Sequence, residues 1–177
     1  MPRVPPAAGP LAPAAQQELD RQLAAHGRVT NMKRTLAHSP AALLALMTWY
    51  PLRDEVAAFL GDRATTLFAH AVSTEAECLV CSTYFRRNLI DAGEDPDHLQ
   101  LNDRESAVVE FGRALTRDYR SVPDAAYAPI AAFLDARQIV ALTAFGAMMI
   151  ATNIFNNALD VELDEYLAAY RRPGSVK

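Results

Sequence analysis

The residues best suited to chemistry are Cys78 and Cys81, the two cysteines of a 177-residue chain. They form a C-x-x-C pair. Two cysteines cannot build the disulfide framework of a small secreted domain. A bridge between them would close so short a loop that it would add little stability. The segment Thr74-Glu75-Ala76-Glu77 fits a capping box and predicts a helix over 75–92, ended by Gly93. On that helix the two side chains lie about 60° apart on neighbouring turns. Unpaired N–H groups at a helix start favour thiolate, the usual physical basis of a redox-active pair. Glu75 and Glu77 act against it, because like charge raises a thiol pKa. No lysine is near in sequence, and Arg86 and Arg87 fall on later turns, off the cysteine face. Three readings stay open: a redox dithiol, two small buried hydrophobes, or a metal site, which would need two further ligands.

The elements that must position the pair read as helices. Residues 14–27 carry Leu19, Leu23 and Ala24 on one face. Ser39-Pro40 is an N-cap followed by proline at the first helical position. Pro51 opens the next helix, with Asp54 and Glu55 well placed in its first turns, and a helix over 62–73 follows. Asn102 to Glu105 is a capping box that opens a helix over 103–119. Asp135 to Gln138 is another, ahead of a long helix to about 157. Shorter helices are predicted over 124–134 and 162–171, and no segment alternates like a strand. Residues 1–13 hold five of the 11 prolines and read as an extended Pro/Ala arm, a free tail or a strap on a neighbouring subunit. Residues 14–177 then form a single all-α domain.

Composition narrows the partners. Half of the chain (51%) is hydrophobic, enough for a core, and the formal net charge is −4. That balance argues against nucleic acid or an anionic membrane as partner, since both require a basic face. No apolar signal-peptide core follows Arg3. The most apolar stretch, residues 139–151, is too short to span a bilayer and reads as a core helix. A reducing, cytoplasmic setting follows, with the pair resting as thiols. With seven glycines there is no phosphate loop or dinucleotide fingerprint, and no cofactor is expected. His38, beside the Ser39 cap, reads as structural; His26 and His98 read as solvent residues.

Three segments, in order and spacing, resemble the carboxymuconolactone decarboxylase and alkylhydroperoxidase D-like superfamily. They are Asn31 to Pro40 with the Ala/Leu helix after it, the helix pair around Cys78-Leu79-Val80-Cys81, and Ile139 to Leu159 with its Asn-rich end. The resemblance implies an all-helical bundle that assembles as a homo-oligomer, commonly a trimer or hexamer. It implies thiol-dependent peroxide reduction, with peroxide and a thiol reductant as reactants. Carried over, Cys81 attacks the peroxide and Cys78 resolves the sulfenic acid as a disulfide. Helix-dipole reasoning alone would make Cys78 the more acidic thiol, so these roles rest on the resemblance.

The chain departs from that pattern. Thr66 stands at the motif's glutamate, Phe85 at its histidine, and Val80 where some members have a further histidine. The family's proton relay is therefore absent at each position. His70, one turn along from Thr66, is the best substitute base, ahead of Tyr84 and Glu77. The functional expectation is a peroxidase or disulfide reductase using Cys78, Cys81 and His70. The alternatives are a non-catalytic oligomeric binding member, or a cofactor-free acid–base enzyme acting on a small organic substrate.

Overall fold

The computed structural model describes residues 1–172; the end of the expected domain, 173–177, lies outside the described residues. The helices are α1 (Pro13–His26), α2 (Asn31–Leu36), α3 (Pro40–Met47), α4 (Pro51–Leu60), α5 (Asp62–Glu75), α6 (Leu79–Asp91), α7 (Asp103–Arg117), α8 (Asp124–Ala131) and α9 (Ala136–Ala158). A 3-10 turn, Glu165–Tyr170, follows where a short α-helix was expected. No strand occurs among the described residues.

Three of the local start signals hold. Ser39 Oγ accepts from the Ala42 amide. Asn102 with Glu105 and Asp135 with Gln138 form reciprocal capping boxes. The box expected at Thr74 does not form. Helix α5 runs on through Thr74 and Glu75. Glu77 then takes a left-handed conformation, φ 50°. The Cys78 amide donates to Ser73 O and the Glu77 amide to Thr74 O, a Schellman closure. Cys78 thus ends one helix and is the N-cap of the next.

Helix α5 is the hub and packs against α4, α6, α7 and α9. Phe68 on α5 is fully buried between Phe111, 6.4 Å away by ring centroids, and Phe145, 5.8 Å away. A Cβ at Gly146 would lie 2.6 Å from the Leu115 side chain and 3.0 Å from Phe68. That glycine lets α9 close onto α5. Helix α9, at 23 residues, runs as its capping box and the expected end near 157 imply, beyond the apolar stretch 139–151 on both sides, and by length and composition it could cross a membrane. Here it is a core helix, burying Leu142, Phe145, Met148 and Met149.

The first residues run without helix across the same chain. The Arg3 amide donates to Leu159 O, the Arg3 guanidinium pairs with Asp160, and His38 Nε2 lies 3.0 Å from Pro5 O. Arg63 on α5 grips Glu94, Glu105 and the Gln100 carbonyl. It ties the loop before α7 to the hub.

Candidate functional site

The α5–α6 closure fixes both thiols. Cys78 is 1% and Cys81 7% exposed, and both are free thiols. They face α9, whose last turns carry two buried asparagines. Asn156 Nδ2 donates to Cys81 Sγ at 3.2 Å and reaches Cys78 Sγ at 3.9 Å. Its Oδ1 has no partner. Both amide atoms of Asn153, one turn earlier, are buried and unpaired, as is the Ser73 hydroxyl. A buried polar atom without a partner costs about 1–3 kcal/mol.

The pair divides its acidity unequally. Cys78 is lowered, first by the hydrogen bond from the Cys81 thiol. Burial opposes this, and the N–H groups of the first α6 turn and the Asn156 amide support it. Cys81 is pushed well up by that same bond and by its own burial. When the pair loses its first proton, the negative charge is therefore favoured on Cys78, at the N-cap position, with the remaining proton on Cys81. This ordering is the one that dipole reasoning gives, and it is the reverse of a resting Cys81 thiolate.

His70 lies on the hub helix. It is partly buried on α5, and burial followed by the charges of Arg86 and Arg113 lowers its pKa to about 4. No hydrogen bond among the described residues joins it to either sulfur. Tyr84 is exposed and edge-on to Phe85, with centroids 5.2 Å apart. Glu77 lies exposed on the closing turn. The structure therefore brings Cys78 and Cys81 together under Asn156, while the charges that act on His70 are chiefly those of Arg86 and Arg113.

Two further residues join the neighbourhood. Tyr50 packs against the core beside the pair. Its phenol is raised by burial, then by the nearby charges of Cys81 and Tyr84. Lys33, 7% exposed, lies over the Tyr50 ring at 5.2 Å and donates to Gln22 Oε1, while Gln22 Nε2 donates to Glu18 at 2.7 Å. Burial lowers the Lys33 pKa. Lys33 is one of two lysines among 17 cationic residues, and that rarity was the signal in the sequence. Asn156 stood in the Asn-rich end of the late helix, but nothing local said what it faced. No group of three or more His, Cys, Asp or Glu side chains that could hold a metal ion occurs among the described residues.

No family model matches the chain, and no curated protein matches it in sequence. Solved structures do match its fold over nearly its whole length. The apo debrominase Bmp8 is 19% identical, with TM-score 0.76 over 94% of this chain and 95% of that one. A cysteine-to-alanine variant of Bmp8 in complex with 2,3,4-tribromopyrrole has TM-score 0.77 at 18% identity, over 94% of each chain. An uncharacterized peroxidase-related protein from Silicibacter sp. has TM-score 0.73 at 18% identity, over 93% and 92%. An uncharacterized peroxidase-related protein from Ralstonia eutropha, described as an alkylhydroperoxidase AhpD core, has TM-score 0.68 at 16% identity, over 93% and 94%. With the helical bundle and the cysteine turn in place, the chain has the alkylhydroperoxidase D-like fold.

Proposed function

We propose that Cys78 and Cys81 form a redox dithiol that reduces peroxide and is restored by a thiol reductant in a reducing, cytoplasmic compartment. The observation that carries this reading is the shared site: two adjacent thiols at a helix start, under one amide donor. The missing glutamate and histidine are replaced within the pair. The Cys78 thiolate takes the proton of Cys81 as Cys81 sulfur attacks the outer peroxide oxygen. The O–O bond breaks, Cys81 becomes sulfenic acid, and the leaving alkoxide or hydroxide takes a proton from water. Cys78 sulfur then attacks Cys81 sulfur, and the hydroxyl leaves with the Cys78 proton as water. Overall, dithiol and ROOH give disulfide, ROH and water. Two molecules of reducing thiol return the pair to its dithiol.

The test is disulfide formation in the intact protein. Peroxide should oxidise the folded wild type faster than its unfolded form. Cys78→Ser should stop at a sulfenic acid on Cys81 and form it more slowly, because the base is lost. Rapid oxidation of Cys81→Ser at Cys78 would reverse the roles. Thiols inert to peroxide in the folded protein would leave the scaffold reading.

A second reading rests on the debrominase-like fold and on the aromatic rings of Tyr50 and Tyr84 near the pair. The same dithiol could supply two electrons to a halogenated ring, giving ring C–H, halide, a proton and the disulfide. Halide release from a bromopyrrole, without peroxide turnover, would select it. Acid–base catalysis by His70 gains no support from its placement. Homo-oligomeric assembly, as trimer or hexamer, is supported by the exposed apolar side chains of Leu44, Trp49, Val140 and Ile154.

A further inference from the structure

The end of α9 holds more unpaired polar capacity than a finished core contains. Asn153 is 1% and Asn156 2% exposed. Between them, three amide atoms are buried without a partner: Asn153 Nδ2, Asn153 Oδ1 and Asn156 Oδ1. The two residues stand one turn apart on one helix face. Asn156 already touches Cys81 sulfur through Nδ2. Asn156 Oδ1 thus belongs to a side chain that touches the sulfur that would react, Asn153 stands one turn away, and the unpaired atoms comprise both a donor and acceptors.

We propose that Asn153 and Asn156 bind the O–O group of a small peroxide, hydrogen peroxide in particular, against Cys81. This rests on the dithiol reading above and names its substrate. Hydrogen peroxide is both donor and acceptor. Its O–H donates to Asn156 Oδ1, and its far oxygen accepts from Asn153 Nδ2. When Cys81 sulfur attacks the near oxygen, electrons pass to the far one, which leaves as hydroxide. The Asn153 amide N–H, donating to that oxygen, stabilises the charge as it forms. Burial sets the size limit. Both thiols and both asparagines are at most 7% exposed, so the bound molecule carries no bulky organic group. The site is therefore selective for hydrogen peroxide over aryl hydroperoxides.

The experiment compares the full chain with Asn153→Leu, which keeps the volume, and Asn153→Ser, a smaller variant that guards against a failure to fold. For each, the rate of disulfide formation is measured with hydrogen peroxide and with cumene hydroperoxide. Thiol alkylation by iodoacetamide at the same pH serves as control. The wild type should favour hydrogen peroxide by about tenfold or more. Either variant should lose about tenfold or more of that rate, with alkylation unchanged within about twofold. Unchanged peroxide rates overturn the proposal. So does a parallel fall in alkylation, which would place Asn153 on the thiols and not on the peroxide. A preference for cumene hydroperoxide also overturns it. A wild type that alkylates readily but is oxidised no faster than its unfolded form refutes the dithiol reading itself, and that outcome is visible before any variant is made.

Discussion

The Asn156 amide is the clearest case of one side chain setting the chemistry of another. A neutral N–H donor beside sulfur favours thiolate, and Asn156 lowers both members of the pair. Asn156→Leu removes the donor at similar volume, so thiolate formation should move to higher pH. Alkylation near neutral pH should slow by up to about tenfold. Asn156→Asp places a carboxylate at the same spot and should raise the thiols further. Stability should change little in the leucine variant, since Asn156 Oδ1 is already unpaired and its removal recovers part of the lost donor bond. A pH profile that is the same in all three proteins would remove Asn156 from the site. At this scale the sequence showed Cys78 and Cys81 by their spacing. It could not show Asn156 as their partner, because that contact spans 75 positions. The approach of Tyr50 to Cys81 is long-range in the same way, and for Lys33 the sequence offered only its rarity.

The elements were legible where their signals are local. A cap side chain bonds the backbone two or three residues on, so Ser39, Asn102 and Asp135 announced their helices. Thr74 failed because a capping box describes a possible start, and here the preceding helix competes for the same residues. Nothing in residues 62–75 breaks α5, and the break that does occur is a glutamate in a conformation usually left to glycine. Gly93, by contrast, ends α6 with φ 84° and the same closing bonds, and was readable. The consequence for the site is a shift of register: Cys78 becomes the N-cap and not the fourth helical residue. Glu77→Gly should therefore keep the turn and relieve its left-handed strain, changing stability by about 0–1 kcal/mol in the favourable direction. Glu77→Val, branched at Cβ, should lose more than about 1 kcal/mol and blur the thiol titration. Chemical denaturation of the three proteins measures this order; a glycine variant less stable than the valine one would refute the turn.

At the scale of the molecule, topology decides which helix faces meet, and His70 shows how this separates likely-looking partners. Its spacing put it one turn from Thr66, yet α5 packs against four helices, and no hydrogen bond among the described residues joins it to a thiol, while Arg86 and Arg113 are the charges it feels most. Burial is the main cause of its depressed pKa of about 4, with Arg86 and Arg113 adding to it and Asp97 opposing. The unfolded chain binds that proton near pH 6.5. Between about pH 6.5 and 4 the unfolded state therefore holds more protons than the folded one, and stability must fall as pH falls. The loss reaches up to about 3 kcal/mol near pH 4. The ion-paired carboxylates Glu94, Glu105 and Asp97 are also lowered and add their own loss at the acid end of this window, but they are common to wild type and variant, so the difference between the two proteins reports His70. His70→Leu fills the same partly apolar space without a titrating group. Urea unfolding from pH 7.5 to 4 should give curves that diverge below about pH 6.5, the wild type losing more stability than the variant. Parallel curves would mean that His70 is hydrated in the folded protein and would reopen it as a base. Divergence, with thiol reactivity the same in both proteins, would fix its work as structural and leave proton transfer to the cysteine pair.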